Sequence, residues 1–237
     1  MNVPYKMELS SASGNSFKDR ITSALTYMRE NASRLEEKPL EMLDRLKEHS
    51  DSSGQGSAND PTPHEACISV VFEQYGIVLA PMRNVVPTTD GCYFWYQPGG
   101  TQQKGDFLIF EVFGGEIRNR LIVDAKHTNG STFYLNDGWF WEGIVYIVSF
   151  CRNVRRGEWK NECLIALGEN IPTEKDSEIW NSYNEAKKTM NANRKEKQPD
   201  FLQPYFRFAH QYSCKQFDTD FMTSRFTSVI ASLPQSS

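Results

Sequence analysis

The sequence predicts an α/β fold, with a central mixed β-sheet flanked by helices and with helical regions at both ends. Three observations carry this. Apolar residues recur at three- and four-residue spacing near the start, short apolar or β-prone runs follow through the middle, and helical spacing returns beyond residue 175. Helices, then strands, then helices describe a layered core of mixed class. With 237 residues, 39% hydrophobic and 13% aromatic, the chain can bury a sizeable core and is ill suited to disorder.

The elements follow in order. Phe17, Ile21, Leu25, Met28, Ala32 and Leu35 form one apolar stripe, so residues 17–36 predict an amphipathic helix. Pro39 suits the first turn of a second helix, with Leu40, Leu43 and Leu46 on one face. Residues 49–61 are polar and turn-rich, as a linker is. Thr62-Pro63-His64-Glu65 carries a capping-box pattern and opens a helix that Gly76 closes. Strands are expected at 77–80, 92–96, 106–113, 117–125, 143–151 and 162–167, several apolar on both faces as in a buried sheet. Ile179, Tyr183, Ala186 and Met190, then residues 217–233, mark the C-terminal helices.

Composition narrows the function classes. Net charge is −4, so no global basic charge announces a nucleic-acid partner, and local charge has to be read separately. The five cysteines are widely spaced without a CxxC pair, which fits neither a zinc site nor a disulfide framework. The longest strongly apolar stretch, 143–151, falls far short of the roughly 20 residues of a membrane span. The first residues hold no signal-peptide core, so a cytoplasmic chain with no membrane partner is expected. His64, His127 and His210 show no metal-ligand spacing, and the GxSxG, HExxH and GxxxxGK[ST] patterns are absent.

The informative stretch runs from Gly105-Asp106-Phe107 through Gly114-Gly115-Glu116 to Asp124-Ala125-Lys126-His127. Two apolar strands flank a Gly-Gly turn, a hairpin signal. A three-residue loop, Gly114 to Glu116, sets Phe113 opposite Ile117 and Asp106 opposite Asp124. Directly opposed residues lie about 4.5–5.5 Å apart, and facing carboxylates repel. Asp124 and Lys126, two apart on one strand, share a face. A hard divalent cation such as Mg²⁺, held by one or two carboxylates with waters and phosphate oxygens, removes the conflict. A lysine beside it can bind a phosphate oxygen or orient water, which completes a set for phosphodiester hydrolysis. The competing reading is a surface charge cluster, since this spacing alone is loose.

Asp106 followed by Asp124-Ala125-Lys126 at a strand end resembles the PD-(D/E)xK nuclease superfamily, and Val123 to His127 looks like the catalytic strand of type II restriction endonucleases. The resemblance covers roughly residues 62–151. The superfamily's proline before the first Asp is replaced by Gly105. The resemblance implies a restriction-endonuclease-like core with Mg²⁺ held by Asp106, Asp124 and the Ala125 carbonyl, and Lys126 working on the attacking water. It also implies a catalytic glutamate on the preceding helix. Glu65 matches that position but equally completes a capping box; Glu73 is the weaker alternative. The activity implied is Mg²⁺-dependent, sequence-specific hydrolysis of double-stranded DNA by a homodimer in a restriction-modification system. The alternatives are a repair or junction-resolving nuclease of the same superfamily, or a DNA-binding protein without activity.

On this reading residues 61–237 form the nuclease core with its C-terminal helical region. Residues 1–60 form an N-terminal helical extension and linker, a candidate for dimerisation. Glu111 falls on the face opposite Asp106, and His127 points away from Lys126 toward DNA or solvent. Asn136 and Asp137 open an Asn-Asp-Gly turn that could face DNA or be purely structural. Arg152, Asn153, Arg155, Arg156 and Lys160, with Glu158 the single acid among them, form a local basic stretch suited to phosphate or guanine contact, or an ordinary solvated loop.

Overall fold

A computed structural model of the chain describes residues 16–51, 60–99, 105–136, 139–155, 157–197 and 209–234. Helix α1 (Phe17–Glu30), a 3-10 turn (Ala32–Glu36), α2 (Leu40–Asp51) and α3 (Pro63–Gln74) lead into strands β1 (Ile77–Leu79), β2 (Gly91–Tyr96), β3 (Phe107–Phe113), β4 (Glu116–Thr128), β5 (Thr132–Asn136), β6 (Ile144–Arg155) and β7 (Glu158–Leu167). Helix α4 (Glu174–Lys197), strand β8 (Ala209–Ser213) and helix α5 (Thr219–Ser232) follow. Six strands form one sheet in the order β1-β2-β3-β4-β6-β7. The β1/β2 and β4/β6 pairs are parallel and the rest antiparallel, so the α/β class and the mixed sheet are as expected.

Two large apolar clusters and a smaller one around Trp95 and Phe110 pack against the sheet. On one face Phe17, Ile21, Leu25 and Met28 of α1 pack with Phe72, Phe94, Phe107, Val123 and Ile165, all essentially inaccessible. Each such side chain contributes roughly 1.5–3 kcal/mol on burial, so the N-terminal helix is part of the main core. The expected single helix over 17–36 is interrupted. Asn31 leaves helical geometry and caps the end, its backbone and side-chain N–H both donating to the Tyr27 carbonyl. The 3-10 turn then keeps Ala32 and Leu35 buried, which is why the apolar stripe outlasts the helix.

On the opposite face Phe133, Phe140, Tyr146, Phe150, Tyr212 and Phe217 form a second core. A two-stranded sheet of β5 and β8 frames it. Neither strand was expected: Tyr134-Leu135-Asn136 reads as a turn, yet those residues pair with Gln211, His210 and Ala209. No helix among the described residues is long and apolar enough to cross a membrane.

The β3–β4 hairpin sets the register of the candidate site by an indirect route. Its loop is two residues, Gly114 and Gly115, at φ 62° and 80°, the left-handed pair of a tight hairpin turn. Phe113 therefore faces Glu116, one residue short of the expected pairing. A bulge at Glu111/Val112 then shifts the ladder by one, so that Glu111 faces Asn119 and Phe107 faces Val123. The shift restores the register that a three-residue loop would have produced, and the ladder ends at Phe107–Val123, with Asp106 and Asp124 each the next residue outward.

Candidate active site

Strand geometry gathers the three charged groups. Val123, fully buried, anchors the end of the apolar run, and the chain turns polar at once with Asp124, itself only 9% exposed. Asp124 and Lys126 lie beside Tyr146 and Val148 of β6. Lys126 Nζ donates to Asp124 Oδ2 at 2.7 Å and to the Ala125 carbonyl at 3.4 Å. Asp106 stands just before β3, where its N–H donates to the Val123 carbonyl (2.9 Å) and its Oδ2 accepts the Ala125 N–H (2.7 Å).

Electrostatics match this crowding. Burial, and then the charge of Asp124, hold the Asp106 carboxyl far above its ordinary range, although Lys126 and the Ala125 N–H act the other way. Burial works to lower the Lys126 ammonium, but Asp124, Asp106 and Glu65 overcome it and the net direction is upward. Lys126 is therefore a firmly held cation beside two carboxyls.

Glu65 completes the capping box and its charge also reaches Asp106 and Lys126. Thr62 Oγ1 accepts the Glu65 N–H (3.2 Å) and Glu65 Oε2 accepts the Thr62 N–H (2.6 Å), a complete capping box. The same carboxylate is 8% exposed, receives the Tyr96 hydroxyl at 3.2 Å, and acts electrostatically on Asp106 and Lys126. Glu73 is committed elsewhere, paired through both oxygens with Arg45 at 2.7 and 2.6 Å.

Two further members went unseen in the sequence. Gln97 donates its side-chain N–H to the Tyr96 hydroxyl (2.9 Å) and its backbone N–H to the Asp106 carbonyl (2.7 Å). It is buried, adopts a left-handed φ of 44° rare for a non-glycine residue, and leaves Oε1 without a partner. Tyr96 reads in sequence as a core aromatic. The available signal was a lone amide directly after an apolar strand and before Pro98.

Glycine at position 105 has a local cause. Gly105 sits at φ 92°, and a Cβ there would lie 2.3 Å from Ile122 Cγ2. Proline, locked near −65°, cannot adopt that backbone.

The remaining residues divide. His127 lies on the other side of β4, as expected, stacked on His64 with ring centroids 5.2 Å apart and 3.8 Å from Glu36. Glu111 accepts a hydrogen bond from Asn119 (2.7 Å). Arg152 pairs with Glu162 at 2.6 Å and also donates to the Phe217 carbonyl, which ties it to the second core. Asn153 and Lys160 are exposed on β6 and β7, and Arg155 pairs across the strands with Glu158. Asn136 ends β5 opposite Ala209. Asp137 and Arg156 lie outside the described residues, as do the side chains of Asn136 and Arg155.

Among the described residues no group of three or more His, Cys, Asp or Glu could hold a metal ion. The donor set the sequence implies is smaller: the carboxyls of Asp106 and Asp124, of which Asp106 is held from ionising by burial and by its neighbour, and the Ala125 carbonyl. That chemistry fits a hard cation such as Mg²⁺, which asks little of the protein and completes its shell with water and substrate. Comparison with protein-family profiles, with curated proteins and with solved structures finds no match to this chain.

Proposed function

We propose that the chain is a Mg²⁺-dependent endonuclease of the restriction type, cleaving both strands of double-stranded DNA as a homodimer, with the core adopting the PD-(D/E)xK arrangement. The observation that carries the reading is the buried Asp106–Asp124 pair with Lys126 2.7 Å from Asp124. Carboxyls that disfavour each other at the end of an apolar strand are poor structural choices and good cation ligands.

Asp106, Asp124 and the Ala125 carbonyl would hold the cation, which when bound would supply Lewis-acid stabilisation of charge on the phosphate. The chain's own groups do the rest. Lys126 is held protonated, so it donates a hydrogen bond to the attacking water or to a phosphate oxygen. Glu65 keeps negative charge close to Lys126 while fixing the start of α3. Tyr96 and Gln97 hold that carboxylate and the Asp106 backbone in place.

Digestion of plasmid DNA of known sequence with Mg²⁺ tests the proposal. Discrete fragments with ends at one short sequence support restriction. Cutting confined to branched or damaged DNA would transfer the site to a repair role, and binding without cleavage in any divalent metal would remove the enzymatic claim.

A further inference from the structure

The two carboxylate oxygens of Glu65 are used differently. Oε2 accepts both the Thr62 N–H at 2.6 Å and the Tyr96 hydroxyl at 3.2 Å. Oε1 accepts no hydrogen bond among the described residues, although Glu65 is buried. One oxygen is thus taken by the start of α3 and the end of β2, and the other is left over. The charge of the same carboxylate acts on Asp106 and on Lys126.

A proton count around Tyr96 fixes this choice of oxygen. A phenol has one proton to donate. The Tyr96 hydroxyl meets Glu65 Oε2 on one side and the buried Gln97 amide, at 2.9 Å, on the other. If the amide turned its oxygen to the hydroxyl, two acceptors would compete for that one proton. With the amide nitrogen there instead, Gln97 donates and the phenol proton goes to Glu65. Gln97 Oε1 is then the atom left buried without a partner, and the proton order accounts for it. Burial, then the charges of Glu65 and Asp106, raise the Tyr96 hydroxyl above its ordinary range, so it stays a donor.

The backbone is bent to allow this. Neighbours along a strand point to opposite faces, so Gln97 in a regular strand would turn away from Tyr96. Its left-handed φ of 44° breaks the alternation at the end of β2, and the amide reaches the hydroxyl of its own neighbour. Its backbone N–H meanwhile donates to the Asp106 carbonyl at 2.7 Å. Gln97 therefore meets Asp106 through the main chain and Glu65 through Tyr96. A carboxylate held only by the Thr62 N–H could offer either oxygen to it; the Tyr96 hydroxyl is the second donor that sets its plane.

We propose that Tyr96, with its proton directed by Gln97, is a positioning residue of the candidate site, fixing the Glu65 carboxylate so that Oε1 and its negative charge stay turned toward Lys126 and the cation site. The inference rests on the nuclease reading and deepens it by naming the pair that orients Glu65.

Isothermal titration calorimetry with Mg²⁺ and no DNA tests the relay in wild-type protein, Tyr96→Phe, Gln97→Met, Glu65→Gln and the Tyr96→Phe/Glu65→Gln double variant. The method reads affinity and stoichiometry separately, and a poorly folded fraction lowers the stoichiometry while leaving the affinity unchanged. Tyr96→Phe keeps the ring in the core and should weaken Mg²⁺ binding about tenfold, the low end of the loss when a partner behind a metal site is removed. Gln97→Met leaves Tyr96 whole and should show a smaller loss in the same direction, which reads the relay even where Tyr96→Phe folds poorly. In the Glu65→Gln background Tyr96→Phe should cost nothing further, because it acts through Glu65. Wild-type affinity in both Tyr96→Phe and Gln97→Met, or an undiminished further loss in the double variant, overturns the relay and leaves the nuclease reading standing. Wild-type protein that binds no Mg²⁺ overturns the cation site and the relay with it.

Discussion

Replacing Asp106 with Asn should make the fold more stable while ending its response to Mg²⁺. Asp106 is buried next to the Phe107–Val123 pair, and the charge of Asp124 acts on it. Two unit charges a few ångströms apart at an effective dielectric near 20 repel by about 3 kcal/mol. Lys126 beside Asp124 offsets part of this, leaving on the order of 2 kcal/mol to be released. Asn keeps an oxygen to accept the Ala125 N–H, so the local fold survives. At about 2–4 °C per kcal/mol for a chain of this size, the melting temperature should rise roughly 4–8 °C. The sign depends on pH. Burial and Asp124 raise the folded carboxyl, so the folded state keeps a proton that the unfolded chain releases near pH 4. Wild-type stability therefore falls as pH rises from about 4 toward the elevated folded value, and the Asn variant should escape that loss. Scanning calorimetry in chelator at pH 4 and pH 8 reads the effect: curves that converge at pH 4 and separate at pH 8 are expected. A variant less stable than wild type at pH 8 would refute the claim that these carboxyls oppose each other, and an equal Mg²⁺ stabilisation of both proteins would refute the ligand assignment.

Other predictions follow from neighbouring features. Glu65→Gln keeps a capping-box partner and should leave the unfolding free energy within about 1 kcal/mol of wild type while slowing cleavage; unchanged cleavage rates would reduce Glu65 to a cap. Gly105→Ala must place a Cβ against Ile122 in a left-handed backbone, and urea denaturation should show a loss of at least about 1–2 kcal/mol, whereas no loss would contradict the turn geometry. Burial pushes the imidazoles of His49 and His64 down to about 4. The unfolded chain protonates them first, so stability should be lost as pH falls from about 6.5 toward 4. His64→Gln should flatten part of that slope in a thermal-melt series, and an unchanged slope would place the acid sensitivity elsewhere.

How much was legible in advance depended on which interaction decided each element. The six strands of the main sheet announced themselves because both of its faces are buried, which demands continuous apolar runs such as Leu121-Ile122-Val123. Strands β5 and β8 did not, because Tyr134-Leu135-Asn136 carries turn-forming neighbours and its pairing partner lies more than seventy residues away. The Phe107–Val123 pairing matches the expected register although the loop is one residue shorter than expected. The compensating bulge at Glu111/Val112 leaves no mark in local composition. Lys126 and Asp124 were legible from the period of a strand. Tyr96 and Gln97 were not, since only the fold brings the end of β2 against α3 and the start of β3. Charge alone overstated Arg152, whose partners Glu162 and Phe217 come from other elements.

The central claim is that this carboxylate–lysine cluster hydrolyses duplex DNA. Side-by-side digestion of plasmid DNA by wild-type protein, Asp124→Asn and Lys126→Ala, with Mg²⁺ and with chelator, tests it most directly. The account predicts discrete cleavage by wild type with Mg²⁺ alone, and none by either folded variant. Cleavage that persists in chelator or in either variant, or a wild-type protein that cuts no duplex at all, would contradict it.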